Sequence, residues 1–155
     1  MGPFLAQLEQ SGLATWIRES GVLYGYPLIL FLHTLGLSTV VGLSSAIDLR
    51  LLGIAPGIPL ESLQKTFGLL WAGLALTALT GTLLFVSDAI KHASNPAFYV
   101  KLAFVLLAVV ALVAVRKRVF GGGQRGRLLA AASLGCWFVA LSAGRLMAYV
   151  SEFVS

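Results

Sequence analysis

From Thr66 onward the chain runs to Ser87 without one ionisable side chain. Three other stretches, residues 27–52, 96–115 and 128–150, are almost as poor in charge. A helix needs roughly 20 apolar residues to cross a bilayer, so each of the four is long enough. Only 11% of the residues are charged and 58% are hydrophobic, whereas soluble domains carry about 25% charge. That little charge cannot cover a water-soluble globule of this size. The expectation is an all-α integral membrane four-helix bundle, a single membrane domain over residues 1–155 with the lipid bilayer as its solvent.

Residues 4–19 precede the spans. Phe4, Leu5, Leu8, Leu13, Trp16 and Ile17 recur at helical spacing, with Gln7, Glu9, Gln10 and Arg18 between them. This predicts an amphipathic helix lying in the membrane interface. The first span, 27–52, opens on Pro27, which suits a first helical turn. The second is read as 66–92, closed by Asp88, Lys91 and His92. The third begins at Pro96 and is stopped by Arg116, Lys117 and Arg118. The fourth is interrupted only by Arg145.

Four spans leave both termini on one side. The connections after the first and third spans hold Arg50, Lys65, Arg116, Lys117, Arg118, Arg125 and Arg127, seven of the eleven lysines and arginines. Short cytoplasmic loops carry that excess, so both termini are expected outside, in the periplasm of a bacterium. The net charge of +5 is thus a topology signal. No basic patch interleaved with aromatics suggests nucleic acid. The lone Cys136 excludes an internal disulfide and a multi-thiolate metal cluster within one chain.

Small residues let membrane helices approach closely. Gly73, Thr77 and Gly81 form one such stripe, Ala132, Cys136, Ala140 and Gly144 another, and Ser38 with Gly42 a third. These stripes are expected to face the bundle interior. The abundance of such residues also allows a homo-oligomer or a subunit of a larger membrane complex.

The ionisable residues within the spans fall in one layer. At 1.5 Å per residue, His33 lies roughly 9 Å along its helix from Pro27, and Lys101 sits at a similar level after Pro96. Asp88, His92, Arg145 and Met147 end their spans on the same side. Intramembrane ionisable groups are costly and pair or serve a function. Asp88 and His92, four apart, can hydrogen-bond. Gly36 and Gly81 are expected to leave room near the His33 imidazole. This pattern suits a b-type haem: His33 as axial ligand, His92 or Met147 as the second, and Lys101 and Arg145 on the propionates. A purely structural polar layer is the competing reading, and copper or a quinone are further ligands to weigh. Copper would prefer more methionine and histidine than this chain offers. Asp48 and Arg50 close the first span, with anchoring as the expected role and Lys65 as a partner for Asp48. No nucleophile–base pair, phosphate loop or carboxylate dyad appears, so an electron carrier or accessory subunit is expected rather than a hydrolase or kinase.

The run "HTLGLSTVVGLSSAIDLRLLG", followed by "TGTLLF" and "NPAFYVKL", resembles a family of small bacterial four-span membrane proteins of unknown function. The resemblance covers residues 16–115. It implies a bacterial inner-membrane location and a four-helix bundle, and no particular activity. Membrane b-type cytochromes and copper-resistance membrane proteins are similar in general build. Cytochromes of that kind show paired intramembrane histidines, whereas His92 here sits near a loop. The function expected from residues and resemblance together is electron transfer through haem with quinone or a periplasmic partner protein. The alternative is a non-catalytic scaffold or accessory subunit.

Overall fold

The computed structural model describes residues 2–21, 24–118 and 126–153, and side chains over 3–21, 24–117 and 126–146. Every described regular element is helical: α1 (Gly2–Glu9), α2 (Gly12–Glu19), α3 (Tyr26–Leu52), α4 (Leu60–Lys65), α5 (Phe67–Ser87), α6 (Ala89–Ser94), α7 (Pro96–Arg118) and α8 (Gly126–Phe153). Four stretches are long and apolar enough to cross a membrane: Tyr26–Leu52, Leu60–Ser87, Pro96–Lys117 and Gly126–Leu146. The chain is a multi-pass membrane protein built as an all-α bundle.

Local chemistry sets the ends. Pro27 stands in the first turn of α3, and Gly53 closes it at φ 84°, a left-handed conformation that glycine adopts without steric cost. The stretch expected as one second span, 66–92, is broken into α5 and α6, with α4 preceding it. The break falls at Asp88, whose φ −138° and ψ 53° lie outside the helical region. His92 consequently sits on a short separate helix. Asn95 Oδ1 accepts the Ala97 N–H at 3.0 Å, covering a free donor at the start of α7.

Packing is uneven around the bundle. Helix α3 lies against both α5 and α8, and α8 against α7, whereas α5 and α7 scarcely touch. Toward the end that carries the α3–α4 connection, the loop end, the gap is filled. Phe67 and Leu70 of α5 join Ala108, Leu112 and Val115 of α7 in one buried cluster with Ile47 and Trp137. Toward the opposite end, the cap end, the gap stays open.

The amphipathic segment differs from the single interfacial helix expected. Ser11 ends one helix and caps the next, its Oγ accepting the Ala14 N–H at 3.3 Å. Ala14 and Ile17 are buried, Ile17 against Ile29 and Leu84, so one face docks on the bundle. Phe4, Leu13 and Trp16 stay exposed on the other. Arg18 ties the segment down: Nη1 donates to the Ser87 carbonyl at 2.7 Å and Nη2 to the Glu9 carbonyl at 2.8 Å. Arg18→Ala is expected to weaken this docking by about 1 kcal/mol. Faster amide exchange over residues 12–19, with the spans unchanged, is the readout.

The inward faces also differ from the small-residue stripes in part. Gly73 is buried as expected, but Ser38 and Gly42 are exposed, and α3 instead turns Gly36, Val40, Ser44 and Ile47 inward. On α8, Ala132 is exposed, while Ser133, Trp137 and Ala140 are buried. Lipid is as apolar as the core, so polarity does not separate the two faces.

Candidate functional site

The open gap between α5 and α7 is a cavity of about 770 Å³ at the cap end. Helix α3 forms its back wall with Leu30, His33 and Leu37. The α5–α6 side contributes Gly81, Asp88 and His92, and α7 contributes Phe98 and Lys101. Trp137 and Gly144 of α8 complete it. The volume lies within the roughly 300–1,000 Å³ of small-molecule and cofactor pockets.

His33 is fixed by α5. Its Nδ1 lies 3.1 Å from the Thr77 carbonyl and 3.0 Å from Thr80 Oγ1. A carbonyl only accepts, so Nδ1 carries the proton and donates. The Thr80 hydroxyl donates to the Leu76 carbonyl at 2.6 Å, which leaves its oxygen free to accept from His33. The neutral imidazole then holds a lone pair on Nε2, which has no hydrogen bond among the described residues. His92 repeats the arrangement. Its Nδ1–H donates to the Asp88 backbone carbonyl at 2.8 Å, and Nε2 makes no hydrogen bond among the described residues. The expected bond between His92 and Asp88 therefore runs to the main chain; the Asp88 carboxylate accepts from Ser87 Oγ at 3.3 Å. An imidazole whose other nitrogen donates to a carbonyl is oriented as metal-binding histidines are.

The two glycines divide their expected role. A Cβ on Gly81 would stand 3.1 Å from His33 Cε1, so Gly81 makes room for the ring. Gly36 does not. A Cβ there would meet Thr77 Oγ1 at 2.6 Å and the Gly73 carbonyl at 3.0 Å, so Gly36 serves the α3–α5 crossing.

Lys101 lies against Gly144, where an added Cβ would sit 3.7 Å from its Cδ and Cε. Lys101 lines the cavity and has no ion pair among the described residues, where the single such pair is Lys65–Glu61. Arg145 is exposed and does not line the cavity, so Lys101 stands without it. The Met147 side chain lies outside the described residues. At the cavity's edge Phe85 and Phe98 stack with ring centroids 5.3 Å apart, and the His92 ring lies 6.0 Å from Phe98. Tyr26 and Lys91 also line the cavity, and nothing in the sequence marks them as site residues. Each sits at a span boundary, where it resembles an ordinary interfacial residue.

No group of three or more histidine, cysteine or acidic side chains among the described residues is placed to hold a bare metal ion. What the cavity gathers is two imidazoles held at Nδ1, two lysines without an ion pair among the described residues, the carboxylate of Asp88 and largely apolar walls. Comparison with protein-family models, with curated proteins and with solved structures found no match. The fold and the cavity define the class, a small integral membrane helical bundle with a histidine-bearing pocket between two of its spans.

Proposed function

We propose that the cavity binds a b-type haem and that the protein carries electrons in a bacterial inner membrane, with the cap end in the periplasm and a quinone or periplasmic protein as redox partner. The observation that carries this reading is the Nδ1–carbonyl contact shared by His33 and His92. Both turn a protonated Nδ1 to a main-chain carbonyl and keep Nε2 for a ligand bond. Lys101 supplies a cation for a propionate, Phe85 and Phe98 offer ring surface to a flat macrocycle, and Gly81 leaves space beside His33. The haem would supply a one-electron couple whose potential its axial ligands set. The protein's part is to orient two imidazoles, exclude water and neutralise negative charge.

Purified in detergent from haem-replete cells, the protein is expected to show a Soret band and dithionite-reduced α and β bands. A colourless protein overturns the reading and leaves a non-catalytic scaffold or accessory subunit. Gly81→Leu offers a steric test. Its Cβ would already stand 3.1 Å from His33 Cε1 and 3.5 Å from Nδ1, so the ring must give way, and cofactor absorbance should be lost while helicity by circular dichroism is kept.

A further inference from the structure

A second polar site lies at the loop end, away from the cavity. Asp48 is completely buried, as are Ser44, one turn before it on α3, and Ser133 on α8. Both hydroxyls reach toward the Asp48 carboxylate, yet among the described residues neither carboxylate oxygen nor Ser133 Oγ has a hydrogen bond of ordinary geometry. Ser44 Oγ accepts the Trp137 indole N–H at 3.0 Å. This corrects the anchoring role expected of Asp48: its supposed partner Lys65 pairs with Glu61 at 3.6 Å on the exposed surface.

The nearby cations are placed elsewhere. Arg50 Nε donates to the Ile58 carbonyl at 2.6 Å. Arg127 reaches toward Gly53, its Nη2 3.7 Å from where a Cβ would be. Arg116 lies over the Phe67 ring, 5.5 Å from its centroid. None forms an ion pair with Asp48. From α5 and α7 the adjacent cluster presents Phe67, Leu70 and Leu112, with Trp71 packed against it, whose indole N–H is also buried without a hydrogen-bond partner among the described residues. A carboxylate with empty lone pairs in a membrane interior is neutralised either by a proton or by a bound cation.

We propose that Asp48, Ser44 and Ser133 bind a monovalent alkali cation. One carboxylate and two hydroxyls form an all-oxygen ligand set, the chemistry that hard cations take. A single negative charge is cancelled by a single positive one, whereas a divalent ion would leave net charge in the low-dielectric interior. The Trp137 indole, which also lines the cavity floor, holds Ser44 in place. The proposal is independent of haem, because none of its residues is a candidate ligand in the cavity.

The test is thermal unfolding of the full chain in detergent, in sodium, potassium or choline chloride at equal ionic strength. The unfolding midpoint is expected to rise by a few degrees, about 4 °C, in sodium or potassium over choline, since a ligand of the native state stabilises it. Asp48→Asn should abolish that difference and leave any Soret band unchanged. Ser133→Ala, which keeps the carboxylate, should need more cation for the same shift, and it decides the matter if Asp48→Asn does not fold. Equal midpoints in the three salts overturn the proposal, as does a cation effect unaltered in both variants. A midpoint that follows pH but not the cation also overturns it and assigns the site to a proton.

Discussion

His33→Ala is expected to yield a protein with no Soret band, the largest change any single substitution in the cavity should produce. The imidazole is held at one nitrogen by two oxygens of α5, so the direction of Nε2 is set by the α3–α5 crossing and not by a mobile loop. Removing it should cost little fold stability. Thr80 keeps its bond to the Leu76 carbonyl, and the net worth of a hydrogen bond to His33 is about 1 kcal/mol. Helicity should therefore match the wild type, which separates loss of ligand from loss of fold. His33→Gly with added imidazole should recover part of the band, because the vacated space adjoins an existing cavity. His92→Ala is expected to act differently. His92 belongs to the short α6 beyond the break at Asp88, so its loss should shift the bands toward a five-coordinate spectrum and not erase them. A full Soret band in His33→Ala would place the ligand elsewhere and end the assignment.

The spans were legible because hydropathy over twenty residues is a strong signal, and Pro27, Gly53 and Pro96 mark ends by backbone chemistry. The layer of His33, Asp88, His92 and Lys101 was legible because ionisable groups are rare in spans and their depths can be counted. The direction in which each residue faces was not. In a soluble helix the polar face marks the outside, but in lipid both faces are apolar. Ser38 and Gly42 thus read as plausibly inward as Gly36 and Ser44, although the structure exposes the first pair and buries the second. The signal that could have chosen is the seam Ile29, His33, Gly36, Val40, Ser44 and Ile47, which keeps to three- and four-residue steps. Following it one residue further reaches Asp48, whose place close to the end of α3 disguised a buried carboxylate as a terminal anchor. The break at Asp88 was hidden for a related reason, since nothing at that position except its backbone conformation departs from a helical pattern.

Gly36→Leu should be the most damaging change to the fold itself. A Cβ at position 36 would lie 2.6 Å from Thr77 Oγ1, 3.0 Å from the Gly73 carbonyl oxygen and 3.1 Å from the Thr77 nitrogen. A hydroxyl can rotate away, but the other two atoms belong to the α5 backbone and can yield only if the helix moves. Gly73 answers from the other side: its own Cβ would stand 3.2 Å from the Gly36 carbonyl oxygen and from Thr39. The two backbones are therefore in direct contact, and in lipid such packing is what holds helices together. Overpacking a tight contact costs about 1–3 kcal/mol, and a leucine on this crossing belongs at or above the upper end. Gly42→Leu is the matched control. It lies on the same helix, is exposed and has nothing within 4 Å of an added Cβ, so it should leave thermal stability in detergent nearly unchanged. Similar unfolding midpoints for the two variants would contradict the close crossing. If Gly36→Leu is unstable and Gly42→Leu is not, the same displacement must carry His33, one turn away, off Thr77 and Thr80, and cofactor binding should fall with the fold.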